Sequence, residues 1–527
     1  MFQPYTGPWD HRTAAHLLRR TIFGPTKERI QQAVDEGLEG SIATLFADPA
    51  PVDPPVYYDF EDDPLAGIGE TWTDKYLNGN ITGIYFARSK TMWSWWFQQM
   101  ARNDQTITEK LTLFWHNHFP ITDAGHANMN WTYLTLLREN GLGDFKELVK
   151  RITVDRSMLI YLSGTSNFAD EPNENYAREL LELFTIGKGD LVAPGDYTNY
   201  TEQDIAEMAR VLTGWWTWVA ESESNPNPPA TFEPWNGMHD TGSKQLSHRF
   251  DNQVIENAGA DEYKNLIDII FEKEECARHI CRRLYKWFVH YEFNDTIENE
   301  IIAPMAQVLI DNDYQIQPAL EALLRSQHFY DEAMRGCMIK STLDFFFSSY
   351  NTLKVVGPSD PMVEYDMWVG WYWEFQELGQ AIFEVPSVAG WTAYHQGPLF
   401  YRNWINSASL SLRKRMVTSQ MIWLIHYFDN NTYGYNFLNF IESLDNPSDP
   451  NALIDELCDL LYPREKTQAQ KDYFKNILIP GLPDFEWTVE YGDYLADPTN
   501  EDLQQTVEAK LRSMITAMMD VPEFHLS

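Results

Sequence analysis

This sequence predicts a mainly α fold: a large, bundle-like body of many helices, with two long aromatic-rich loops and little or no sheet. Three observations predict it. Apolar residues recur at helical spacing along most of the 527 residues. Helix start and stop signals flank those stretches, and alternating strand patterns are scarce. At 44% hydrophobic residues the chain carries enough apolar surface for a sizeable core.

In order, a first helix over 11–23 breaks at Gly24-Pro25. Thr26 caps a second over 27–36, which Gly37 stops. Residues 49–64 hold five prolines and read as a surface loop. The span 84–100 is an aromatic helix with Trp93, Trp95 and Trp96. Thr106 and Glu109 form a capping box for a helix running to His118, before Pro120 forbids continuation. Helices over 131–140, 144–155 and 174–184 follow, and Thr201 caps one over 202–212 that Gly214 closes. Residues 215–250 read as a loop, 261–353 as further helices, and 356–396 as a second irregular aromatic stretch. Helices resume from 406, interrupted at 446–450 and 481–483. The resulting parts are an N-terminal block 1–215, an aromatic loop 216–250, a second block 251–355, a Trp-rich loop 356–400 and a C-terminal block 401–527, all in one unit. Loops of this length usually carry function, so both are expected over one face, walling a cleft.

Composition narrows the partners. The formal net charge of -37 repels nucleic acid and anionic lipid surfaces alike. The 19 Trp, 27 Tyr and 29 Phe are a heavy aromatic load: a large helical core can hold it, or surplus Trp lines clefts that grip sugar rings or aromatics. Four cysteines without a C-x-x-C pair read as free thiols. The start lacks a basic and an apolar signal region, and runs such as Met421-Ile422-Trp423-Leu424-Ile425 are too short to cross a bilayer. A cytoplasmic chain is the expectation, with export beside a partner or loss of a leader as the alternative.

Three constellations offer chemistry. Glu174, Arg178 and Glu182 share the polar side of one helix with Glu179 at its margin, and Arg178 would hold neighbouring carboxylates ionised. An i,i+4 ion-paired surface is the plain alternative. His116 and His118 in Trp115-His116-Asn117-His118-Phe119 diverge by about 200° on a helix, yet can converge where the helix ends. They and Glu182 are the candidate ligands of a divalent metal ion, against the alternative that one caps the helix and the other packs. His239 and Asp240 with Lys244 form an acid–base group on a polar loop, or a surface turn. His16 reads as a core histidine. No G-x-S-x-G elbow, phosphate loop, dinucleotide fingerprint or H-E-x-x-H helix is present.

Several of these segments carry a resemblance. His16-Leu17-Leu18-Arg19-Arg20 before Phe23-Gly24-Pro25, Phe114 to Phe119, Pro172 to Leu180, and Leu212-Thr213-Gly214-Trp215 resemble a large bacterial family, the domain-of-unknown-function family numbered 1800. His239-Asp240 with Lys244, and Leu378-Gly379-Gln380 leading to Val388-Ala389-Gly390-Trp391, extend it over nearly the whole chain. The resemblance implies a largely helical fold, no established activity, and a second protein as frequent companion. Two functions follow as expectations. One is an enzyme, hydrolytic or metal-dependent oxidative, acting on a carbohydrate-like or other extended substrate. Its catalytic residues would be Glu174, Arg178, Glu179, His239, Asp240 and Lys244, with Trp215, Trp216 and Trp391 on the substrate. The other is a non-catalytic helical partner that binds a glycan or a protein.

Overall fold

Helices make up most of the computed structural model, which describes residues 1–527 apart from 60–62, 78–82, 103, 124, 219–220, 236 and 417–433. The apolar run at Met421–Ile425 therefore lies outside the described residues. The N-terminal helices are α1 (His11–Thr21), α2 (Lys27–Leu45), α3 (Ile84–Arg102), α4 (Thr108–His118), α5 (Ala127–Asn140), α6 (Phe145–Thr153), α7 (Arg156–Tyr161), α8 (Glu174–Glu179) and α9 (Glu202–Val211). Next come α10 (Glu262–Phe271), α11 (Glu274–Phe288), α12 (Asp295–Ile297), α13 (Ala303–Asp311), α14 (Ile316–Leu324) and α15 (Thr342–Thr352). The rest are α16 (Pro361–Glu377), α17 (Thr392–His395), α18 (Ser407–Arg415), α19 (Phe437–Glu442), α20 (Pro450–Leu461), α21 (Gln468–Leu478), α22 (Phe485–Ala496) and α23 (Glu501–Asp520). Sheet is confined to three two-stranded antiparallel pairs among the described residues. Two of them, Trp215–Trp216 with Thr231–Phe232 and Lys244–Gln245 with Val254–Ile255, organise the loop after α9.

Local chemistry sets most boundaries as expected. The carboxylate of Asp10 and the hydroxyl of Thr26 accept from the first turns of α1 and α2, and Thr201 with Asp204 forms a reciprocal box on α9. Four readings need correction. Gly37 kinks α2 at φ 70° without ending it. Thr106 does not cap α4: Ile107 occupies the cap position without a side-chain bond, and Glu109 turns inward to Trp96 and Arg138. Residues 180–185 widen into a π-helical turn after α8. The stretch 356–396 is no loop, since α16 fills its first half, started by Asp360 at the N-cap and Pro361 at the first position. Trp368, Trp371 and Tyr372 are buried on α16, whereas Trp373 is 43% exposed. Aromatics surround this helix, which hides any 3.6-residue stripe.

One continuous core unites the blocks. The segment after α16 is strapped across α4 by the motif that carries the two histidines. The Phe383 amide donates to His116 Nε2 at 3.0 Å, and the Trp391 amide donates to Asn117 Oδ1 at 2.9 Å. Gly390 at φ 94° lies so close that a Cβ there would stand 2.4 Å from Asn117 Oδ1. The expected pair of loops both border the turn between α4 and α5: Asp123 donates its amide to the Phe383 carbonyl, and His126 pairs with Glu221 at 2.9 Å.

Candidate functional site

The His and Glu motifs do not converge. His116 is buried, and both its nitrogens are occupied. Because Nε2 accepts from Phe383, Nδ1 carries the proton, placed 3.0 Å from the Tyr133 oxygen; Tyr133 donates in turn to the Phe119 carbonyl at 2.6 Å. Burial holds this imidazole down to about 3, so it stays neutral and has no lone pair left for a metal. His118 lies against the end of the α8 segment, where its Nε2 donates to the Phe184 carbonyl at 3.1 Å rather than meeting a glutamate. Its ring sits among Phe114, Trp115, Phe119 and Phe184. Among the described residues no three His, Cys, Asp or Glu side chains gather as a metal-ligand set.

The glutamates form a surface network. Arg178 reaches Glu202 with two bonds at 2.7 and 3.1 Å and Glu174 at 3.1 Å, so it ties α8 to α9. Glu182 takes Lys188 at 3.1 Å and the Tyr200 hydroxyl. Glu179 stands apart, its carboxyl raised by burial and by Glu182.

His239 and Asp240 face different partners. His239 Nε2 is 3.3 Å from Glu262 Oε2, and Lys244 Nζ is 2.5 Å from Glu262 Oε1, with all three side chains buried. Asp240 turns to Arg210, at 2.6 and 3.2 Å, which with its backbone bonds holds the carboxyl low despite burial. The group is thus an internal clasp between the loop and α10, correcting the expectation of a polar, solvent-facing loop. Trp391 is buried beside His116, Trp215 is buried against Phe232 and Tyr263, and Trp216 is half-buried.

A different set of side chains comes together where α1, α4, α15 and the chain's last turn meet. Arg19 and Arg20 close α1, Lys110 sits on α4, and Lys340 precedes Ser341, the N-cap of α15. These four cations line two adjoining recesses, each with a cavity volume of about 20 Å³. Arg413 on α18 stands behind them, donating to the Lys340 carbonyl at 2.9 Å while its Nε and Nη1 find no acceptor. The one Asp or Glu in the lining, Asp344, is paired with Lys110. Arg19 is satisfied by the Asp459 and Leu460 carbonyls and Arg20 by that of Met334, but Arg20 Nε is unpartnered. Lys340 is 7% exposed. Its ammonium faces the Phe524 ring at 4.5 Å and has no hydrogen-bond or carboxylate partner among the described residues. Burial first, then Arg19 and Arg413, hold this amine down to about 7. Trp287, Tyr394 and Trp404 complete one wall, with Tyr394 stacked on Trp287 at 4.4 Å.

Spacing rules could not find this cluster, because its members are far apart in the chain. The visible signal was the Arg19-Arg20 pair at the end of a helix, directly before Gly24-Pro25. Gly24 lets that elbow approach α15, since a Cβ there would lie 2.5 Å from Ser348 Cα. The lining gathers four basic side chains, Arg19, Arg20, Lys110 and Lys340, around one acidic side chain, Asp344. No helix among the described residues is long and apolar enough to cross a membrane. No curated protein and no solved structure matches the chain. One family model does, over residues 16–526, and the chain belongs to that family, described as a protein of unknown function (DUF1800).

Proposed function

We propose that this protein binds the oxyanion of a small organic acid between Arg19, Arg20, Lys110 and Lys340. The observation that carries the reading is the Lys340 amine, without a hydrogen-bond or carboxylate partner among the described residues, in a lining whose one acidic side chain, Asp344, is already paired with Lys110. The chain as a whole has nearly twice as many acidic as basic residues, so this cluster runs against its composition. Burying an amine without an ionic partner costs stability, either as an uncompensated charge or as the loss of its proton. A fold that keeps such a group gives up stability where a ligand can return it. At about 20 Å³ the recess holds about one water, so what it admits is the oxyanion end of a compact acid.

Thermal melts at constant ionic strength, with acetate replacing chloride, test the reading. Acetate at about a hundred times its dissociation constant should add roughly 2.7 kcal/mol to stability. Lys340→Met should melt higher than the parent without ligand and lose the acetate response. An acetate response of equal size in the variant would overturn the proposal.

A second reading has its own observation. Tyr85, Phe86 and Trp373 are 42%, 37% and 43% exposed and adjacent, the Phe86 ring centre 6.5 Å from that of each neighbour and inclined to them by 63° and 41°. Such a strip suits the flat face of a sugar, which supports a glycan-binding role. Quenching of Trp373 fluorescence by soluble oligosaccharides, lost in Trp373→Ala, is the expected result; no change with any oligosaccharide removes it.

A further inference from the structure

We propose that Lys340 is a nucleophile that forms an imine with the carbonyl carbon of a small oxo acid whose carboxylate is held by the neighbouring arginines. This rests on the anion-binding reading of the same recess. Imine formation requires an amine with a free lone pair, an electrophile held within reach, and an exit for one water. Lys340 alone among the four lining cations has no acceptor for its nitrogen: Lys110 is paired with Asp344, and the arginines spend donors on backbone carbonyls. Lys340 lines both recesses, and Arg19 lines each of them beside it.

The step balances without an oxidant or reductant. The Nζ lone pair forms a bond to the carbonyl carbon as the C=O π pair moves to oxygen. Two proton transfers, from the attacking nitrogen and to the oxygen, give a carbinolamine and then expel water, leaving C=N. Asp344, Lys110 and Tyr394 line the same recess and are the groups available to carry those protons. The low affinity of the buried amine for its proton leaves a large neutral fraction at neutral pH. The charged groups around it are Arg19 and Arg20 from α1, Lys110 from α4, Asp344 from α15, Arg413 from α18 and His525 from the final turn. All but Asp344 and a neutral His525 push it the same way.

Glyoxylate with sodium cyanoborohydride, applied to the full chain at pH 7, reads the step directly, because hydride reduces the imine to a stable carboxymethyl amine. One adduct per chain at Lys340 is expected, formed at least about a hundredfold faster than at exposed lysines, whose amines are almost wholly protonated there. Acetate should protect Lys340, and Lys340→Arg should show no adduct while keeping its melting response to acetate. Labelling spread evenly over surface lysines, or no adduct at Lys340 while acetate still raises the melt, overturns the imine and leaves the anion site standing. Absence of both the adduct and the acetate response overturns the two together.

Discussion

The Glu262 carboxylate holds two buried partners, His239 at 3.3 Å and Lys244 at 2.5 Å, and also accepts the Ala258 amide at 3.2 Å. Removing its charge leaves the buried Lys244 ammonium with the Asp240 carbonyl but no counter-charge, so Glu262→Gln should cost about 3–5 kcal/mol in urea unfolding. A loss below about 1 kcal/mol would show that the clasp is dispensable. Lys340 acts with the opposite sign. Its amine lies at about 7 in the folded chain against 10.5 for a free side chain, so the fold prefers the neutral form. Its contribution is therefore undiminished above pH about 10.5 and is lost progressively as pH falls from there to about 7. The stability of the parent relative to Lys340→Met should decline by a few kcal/mol between pH about 10 and 6, and a pH-independent difference would contradict the burial argument. Residues of this kind are only partly legible in sequence. His16 reads correctly as a core histidine, bonded through Nε2 to the Phe329 carbonyl at 3.0 Å. His239 reads as a loop residue because its burial is imposed by α10, which follows it in the chain.

At the scale of elements, the Trp115 to Phe119 motif is a fastening rather than a ligand set. His116 and Asn117 pin the strap that follows α16, and the strap delivers Tyr394 and Trp404 to the wall of the recess. Gly390→Ala would force a methyl group against Asn117 at a φ that L-residues avoid. A melting temperature lowered by several degrees, with a weaker acetate response, is the expected outcome; an unchanged melt would mean that the strap can shift without cost. Helix starts were legible at Thr26 and Thr201, where a hydroxyl caps the first turn. Helix α16 was not, although Asp360-Pro361 announces it, because Trp, Tyr and Phe on all sides erase the periodicity by which helices are recognised.

Over the whole molecule, 77 acidic against 40 basic residues make self-repulsion the dominant long-range field. Raising sodium chloride from about 0.1 M to about 1 M shortens the screening length from roughly 10 to roughly 3 Å. The melting temperature should rise across that range; a fall would show that the surface ion pairs outweigh the repulsion. The mainly helical architecture was legible from local pattern, since caps and turns are local. The cationic recess was not, since only the tertiary fold brings positions 19, 20, 110, 340 and 413 together. The contacts that build it also span most of the chain: Asn351 Nδ2 donates to the carbonyls of Phe23 and Met100. That has a consequence in time. A ribosome adding about 5–20 residues per second releases Arg20 roughly 16–64 s before Lys340, 320 positions later. For that interval the first helix has α2 beside it but neither α15 nor the chain's last turn, and the apolar surface they cover must be shielded by something other than the finished fold.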